Sequence, residues 1–300
     1  MGSVHWPSCI SVPCAMLHGP AQISYNLTMR KGLTFLILAL SCQNERGAPI
    51  VSTMYPLTAI TRAIAGEEFR VVGVVPPGAN PHDYEPTPKN VATLSGAQVV
   101  VYAGTLMEPW VTRTGTKAIL VDASEAGNML VKDPHVWLDP ERGKMIAGAI
   151  MIALSEAWPE KKDMFQDNLE NFNAQIDTFD AWFRAELDSV KDTRFVSVHP
   201  AWRYLAARYG LNEVASLGAG EGGEVSPKVL SETIEIMKKE DVHAVFGELG
   251  SSSPYTRTLD YEAGAKVARL DPIGNPGDTA RDDYIDLLYY NGREIIRVLK

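Results

Sequence analysis

Three histidines and one aspartate occupy the same kind of place along this chain. His82 follows the apolar run Phe69–Val75 through the loop PPGANPHDYEPTP, and His135 lies in DPHVWLDP, just ahead of a helix start marked by Asp139 and Pro140. His199 directly follows the run Arg194–Val198, and Asp271 directly follows Lys266–Leu270. Neutral imidazoles offer nitrogen lone pairs and a carboxylate offers oxygen; four such groups suit Zn2+ and are acceptable to Mn2+ or Fe2+. Taken singly, each histidine is better read as a loop residue with local hydrogen bonds. Their equivalent positions are the stronger observation, because open α/β sheets bind ligands beyond the carboxyl ends of their strands. His243 falls inside the run Val242–Phe246 and is read as structural, while His5 and His18 precede a leader-like segment. Glu248 closes the same stretch as His243 and could face a cleft, where an acceptor would orient the far nitrogen of a ligating imidazole.

Other chemistries find little support. Gly218-Ala219-Gly220-Glu221-Gly222-Gly223 satisfies the dinucleotide fingerprint literally. Its preceding strand is short and polar, and Glu221 and Glu224 would repel a pyrophosphate, so it is read as a glycine loop. No Walker lysine loop, HExxH or GxSxG occurs, and nothing sets a nucleophile beside a base. A metal-dependent hydrolase would need an open coordination position and a general base, for which Glu248 is the one candidate.

The elements that must position these groups alternate. Short apolar runs Pro49–Thr53, Phe69–Val75, Gln98–Tyr102 and Ala118–Val121 are separated by helical stretches such as Leu57–Ala65. A second set comprises Arg194–Val198, Val214–Leu217, Val242–Phe246 and Lys266–Leu270, with helices predicted over Ala201–Tyr209 and Lys228–Lys239. β-branched runs alternating with helices point to mostly parallel sheets. Between the sets, Phe165, Leu169, Phe172, Ile176, Phe179, Phe183, Leu187 and Val190 recur at helical spacing without an intervening glycine or proline, a continuous apolar stripe. The expected fold is therefore α/β, with two lobes that each carry a mostly parallel sheet flanked by helices, joined by one long rigid α-helix. Boundaries follow as 48–158 for the first lobe, 159–190 for the connecting helix and 191–300 for the second lobe.

The N-terminus has its own signal. Leu33–Leu40 follows Arg30-Lys31 and runs into Ser41-Cys42; it is too short to span a bilayer but fits a secretory apolar region behind a basic one. The stretch MRKGLTFLILALSC from Met29 resembles a bacterial lipoprotein leader, with Cys42 the residue to be lipidated and 1–28 an upstream extension. A buried helix opening the fold is the alternative. The three cysteines are Cys9, Cys14 and Cys42, so after cleavage no disulfide and no thiolate metal site is possible in the body, and any metal must be held by nitrogen and oxygen. The chain of 300 residues is 45% hydrophobic with a net charge of −9. That excludes disorder and argues against nucleic acid as the main partner, while suiting a cationic ligand.

PHDYEPTP, DPHVWLDP, the strand–His–helix stretch VSVHPAWRYLAARYGL, the terminal segment DDYIDLLYYNGREIIRVL and the order His, His, His, Asp together resemble the metal-binding solute-binding proteins of bacterial ABC importers, the zinc/manganese uptake family with a long backbone helix. The resemblance covers about residues 48 to 300. It implies metal ligands at His82, His135, His199 and Asp271, and a receptor, not an enzyme, that captures one divalent metal outside the inner membrane. The metal would pass to an ABC permease with its ATPase, from a monomer anchored by lipid at Cys42. Manganese-tuned members often carry Glu at the third position; His199 there favours Zn2+ over Mn2+ or Fe2+. Three departures stand out: Pro200 replaces a common Asp, Trp202 replaces a more usual Phe, and 110–133 lacks the His-rich loop of many zinc-specific members. An adhesive role on the cell surface, attributed to some members, is the alternative from another class. Three ligating imidazoles also imply affinity that falls below about pH 6.5, the ordinary His pKa.

Overall fold

The computed structural model describes residues 49–130, 132–218, 225–249 and 254–300. The leader-like segment, Cys42 and most of the glycine loop after Gly218 lie outside the described residues. The chain runs β1 (Ile50–Ser52), α1 (Tyr55–Ala65), β2 (Val71–Gly73), α2 (Pro88–Ser95), β3 (Val99–Tyr102), α3 (Pro109–Arg113), β4 (Ile119–Asp122), α4 (Ala123–Ala126) and α5 (Pro140–Ala157). It continues through α6 (Lys162–Leu187), β5 (Arg194–Ser197), α7 (Arg203–Tyr209), β6 (Asn212–Ser216), α8 (Pro227–Glu240), β7 (Ala244–Glu248), α9 (Pro254–Ala263), β8 (Lys266–Leu270) and α10 (Tyr284–Leu299).

Among the described residues eight strands form two four-stranded sheets of the same order, β2-β1-β3-β4 and β6-β5-β7-β8, and every pairing is parallel. The order reverses beside β1 in one lobe and beside β5 in the other, which places a topological switch point, the usual ligand crevice, at the carboxyl ends of β1/β3 and β5/β7. Buried strands such as Val99–Tyr102 are continuous apolar runs because helices cover both sheet faces.

Between the lobes α6 extends for 26 residues, about 39 Å at 1.5 Å per residue. Its buried residues are Phe165, Leu169, Phe172, Ile176, Phe179 and Phe183, the predicted stripe. One core cluster includes that stripe, Val99 and Val101 of the first sheet, Phe246 and Leu270 of the second, and Tyr284 of α10. The lobes thus share a hydrophobic core instead of hanging on a flexible linker. Two smaller clusters fill the outer faces, around Val100 and Tyr102 in the first lobe and around Val196 and Val245 in the second.

Helix starts match their local chemistry. Asp139 accepts from the Glu141 N–H at 3.0 Å ahead of Pro140, and Ser226 accepts from the Val229 N–H at 3.3 Å ahead of Pro227, both satisfying orphan amides. Gly210 ends α7 in the left-handed region at φ 68°.

Three expectations are corrected. β2 is limited to Val71–Gly73 because its one neighbour, β1, has three residues to pair; Phe69 instead packs on Trp158 and Phe165 at ring distances of 4.9 and 5.3 Å. The connecting helix stops at Leu187, and Val190 closes a turn onto the Leu187 carbonyl at 2.9 Å. Val242 belongs to the end of α8, not to a strand: Asp241 is left-handed and the Val242 N–H reaches back to the Met237 carbonyl at 3.0 Å, an apolar helix stop. β7 therefore begins at Ala244, and His243 is an exposed residue beside Asp241 (3.1 Å), not a residue inside the strand.

Candidate metal centre

Loops at the carboxyl ends of both sheets face one another across a cavity of about 610 Å³ lined by His82, His135, Trp137, His199, Glu248, Asp271 and Arg281 among others. His82 sits in a single 3₁₀ turn, Pro81–Asp83, capped by Asn80, whose side chain accepts from the His82 N–H at 3.0 Å. His135 leads into a second 3₁₀ turn, Val136–Leu138. His199 comes two residues after β5 and is 5% exposed.

The three rings converge. Their centroids lie 5.2 Å (His82–His135), 5.5 Å (His82–His199) and 4.9 Å (His135–His199) apart, and one nitrogen from each lies within 4.8 Å of the other two. His82 Nε2 and His135 Nε2 are 3.2 Å apart. The Nδ1 of His135 faces the Asp133 carboxylate at 2.8 Å, and that of His199 faces Glu248 Oε1. Carboxylate acceptors place the proton on Nδ1 and turn the Nε2 lone pairs toward the common centre. His199 Nε2 is buried without a hydrogen-bond partner among the described residues, an arrangement that costs free energy unless something accepts the lone pair. The donor set and this orphaned nitrogen fit a metal ion.

Asp271 lines the same cavity, yet its carboxylate does not join the three-nitrogen group. Its Oδ1 accepts the N–H groups of Ile273 (3.0 Å) and Gly274 (2.9 Å), and Oδ2 accepts Arg281 Nη1 at 2.5 Å. Two partners escaped sequence reasoning. Asp133 stands two residues before His135 in DPH, a spacing that could have flagged it; Arg281 is ten residues beyond Asp271 in a loop with no pattern.

Contacts across the cavity tie the lobes together at the site. Trp137 Nε1 donates to the Pro272 carbonyl at 2.8 Å, and the Tyr204 hydroxyl donates to the Asp133 carbonyl at 2.9 Å. Tyr284 at the start of α10 donates to the Trp137 carbonyl. Trp202, a departure seen in the sequence, is fully buried with its ring 6.5 Å from Phe246.

Burial pushes the His82 pKa down to about 4, and the neighbouring His135 and His199 rings lower it further by charge repulsion. His82 is therefore neutral well below pH 6.5, so its share of proton competition with a metal begins near pH 4, not at the ordinary value. The unfolded chain takes up this proton near pH 6.5 while the folded chain refuses it until about pH 4. Stability of the metal-free protein should accordingly fall as pH drops from 6.5 to 4 and then level off. Urea melts of wild type and His82→Gln across that range check this: the variant should show the shallower slope, and equal slopes would contradict it.

Glu108 lies against the switch point of the first sheet. Its Oε2 accepts from the Thr53 hydroxyl (2.7 Å) at the end of β1 and from the Ala103 N–H (2.6 Å) at the end of β3, and the residue is 1% exposed. Burial pushes its pKa up to about 7 against the lowering effect of those two hydrogen bonds. A carboxyl whose folded pKa is raised loses stability as pH climbs from its unfolded value toward 7. Glu108→Gln should thus be more stable than wild type at pH 8, by about 2 kcal/mol, with the gain gone at pH 5. Thermal melts at the two pH values read this directly.

Paired parallel sheets meeting at a histidine-lined cleft over a shared rigid helix define a two-lobed solute-binding fold. The chain belongs to the family described as zinc-uptake complex component A, periplasmic (ZnuA), whose profile matches residues 50–298. It is 31% identical over 286 residues to the zinc-binding lipoprotein AdcA of Streptococcus pneumoniae, a match that covers 85% of this chain and 57% of that one. The chain thus spans little more than half the length of that relative. Among solved structures it resembles the Zn(II)-bound ZnuA-like domain of the same AdcA, at 32% identity and TM-score 0.72 over 84% of this chain and 98% of the domain. It also resembles ZnuA, at 28% identity and TM-score 0.74 over 85% of this chain and all (100%) of that one.

Proposed function

We propose that this chain is an extracytoplasmic receptor that binds one Zn2+ in the cleft between its lobes and delivers it to an ABC permease driven by its ATPase. The observation that carries the proposal is the convergence of His82, His135 and His199 on one point, with the Nε2 of His199 buried and unpartnered among the described residues. His82 and His135 come from the first lobe and His199 from the second, with Asp271 the fourth ligand once its carboxylate turns to the metal. Four protein donors leave no open position for an activated water, and Glu248 is committed to His199, so hydrolysis is not the function we assign. Three imidazoles favour zinc over the harder Mn2+, and the name of the AdcA relative is consistent with that choice.

The boundaries we propose are a first lobe over 48–158, a connecting segment over 159–190 and a second lobe over 191–300. The leader over 29–42 would be cut before Cys42, which would carry the lipid anchor of a monomeric receptor. Among the described residues no helix is long and apolar enough to cross a membrane.

The test is competitive titration of the metal-stripped protein with Zn2+ and Mn2+, read by metal analysis after dialysis. One Zn2+ per chain retained against excess Mn2+ is the expected result. Preferential retention of Mn2+ overturns the metal, and absence of any stoichiometric metal overturns the site.

A further inference from the structure

We propose that Arg281 competes with the incoming metal for Asp271, so that the Asp271–Arg281 ion pair is a releasable latch that sets how tightly the cargo is held. The inference rests on the reading in which Asp271 joins the three histidines.

Asp271 is 6% exposed at the carboxyl end of β8, and its main chain is clamped by Asn291. The Asp271 N–H donates to Asn291 Oδ1 and the Asn291 amide donates to the Asp271 carbonyl, both at 2.8 Å. The residue cannot drift; its carboxylate can only turn. Two of its three donors, the Ile273 and Gly274 amides, belong to the turn that follows it, and giving them up would unmake that turn. The third, Arg281, is a side chain with alternatives. Its Nη2 already donates to Asp278, and its guanidinium carbon lies 5.3 Å from the centre of the Tyr290 ring. Asp278 and Tyr290 can keep Arg281 in place when Asp271 lets go.

Arg281 is also the only Lys or Arg among the described residues lining the cavity. A guanidinium stays charged at any relevant pH, so it repels a divalent cation at close range and neutralises the only carboxylate proposed as a ligand. A receptor that must surrender its cargo gains from such a competitor, because the latch re-forms as the metal leaves. The opposite role is an orienting one: ligating carboxylates are commonly held by a hydrogen bond that improves them as ligands. The two roles predict opposite signs when the charge is removed.

Zinc affinity by competition with a chromophoric chelator, and the release rate into excess EDTA, should be measured on the full chain at one fixed pH. Wild type, Arg281→Met, Arg281→Lys and Asp278→Asn are the proteins to compare, with near-ultraviolet circular dichroism as the check on folding. Competition by charge predicts that Arg281→Met binds zinc at least roughly tenfold tighter and releases it correspondingly more slowly. Arg281→Lys should stay near wild type, and Asp278→Asn should bind more weakly and release faster, because Asp271 is then the one carboxylate among the described residues still paired with Arg281. Equal or weaker binding by Arg281→Met, with wild type still holding one zinc, overturns the latch and leaves the zinc site standing. Failure of wild type to bind zinc removes the ligand assignment and the latch with it.

Discussion

Replacement of His199 by alanine should lower zinc affinity by at least roughly 100-fold, since loss of a group that merely orients a ligand already costs about 10–100-fold. His199 is the only one of the three converging imidazoles contributed by the second lobe. On the proposed ligand set, the variant keeps His82 and His135 of the first lobe and Asp271 of the second but loses the one imidazole that the second lobe supplies. Glu248→Gln makes a graded control, because the amide oxygen can still accept from Nδ1 without the negative charge that raises the ring's basicity; its loss should fall in the lower range. Chelator competition at pH 7.5 measures both. Wild-type affinity in His199→Ala would show that this imidazole is not a ligand.

Replacement of Phe179 by alanine should destabilise the fold by about 3–5 kcal/mol, the usual cost of removing a buried aromatic side chain. Phe179 is fully buried on α6 and packs against Phe183 at 5.6 Å, Trp182 at 5.8 Å and Tyr289 of α10 at 5.1 Å. Gly292 of α10 brings the helices close: a β-carbon there would lie 2.8 Å from the Trp182 ring and 3.3 Å from Phe179, so the neighbourhood has little freedom to collapse into a cavity. Urea unfolding followed by circular dichroism measures the loss, and exposed Gln175→Ala on the same helix should change stability by less than about 0.5 kcal/mol. Phe179 does not line the metal cavity. At a temperature where the variant remains folded, it should still take up one zinc. A small stability change would mean that α6 is not the strut its packing implies.

These two sites differ in how visibly they are written in the chain. The α6 stripe is legible because helical periodicity is local: each buried aromatic declares itself by its distance from the last one, whatever the rest of the molecule does. Strands and helix caps are legible for the same reason, and where boundaries slip, as at Val242, a neighbouring helix has claimed an apolar residue for its own termination. The three histidines are legible through a weaker rule, that loops at the carboxyl ends of parallel strands converge, and in the fold their rings lie together as that rule implies.

Other features had no local signature. Nothing in the residues around Glu108 marks it, and only its burial between the ends of β1 and β3 gives it an unusual pKa. The pairing of Glu248 with His199 depends on β5 and β7 being neighbours, which follows from a sheet order that no run of residues declares. Asp271 reads as a free ligand in sequence, whereas in three dimensions its carboxylate is held by Arg281 and two amides. The elements, the stiff connector and the identity of the chemical groups could be read from the chain, because those depend on residue type and short-range spacing. Tertiary structure alone decided which carboxylate backs which imidazole and which cation holds Asp271, because charge pairing is settled by distance in space, and distance in space is set by strand order and loop closure.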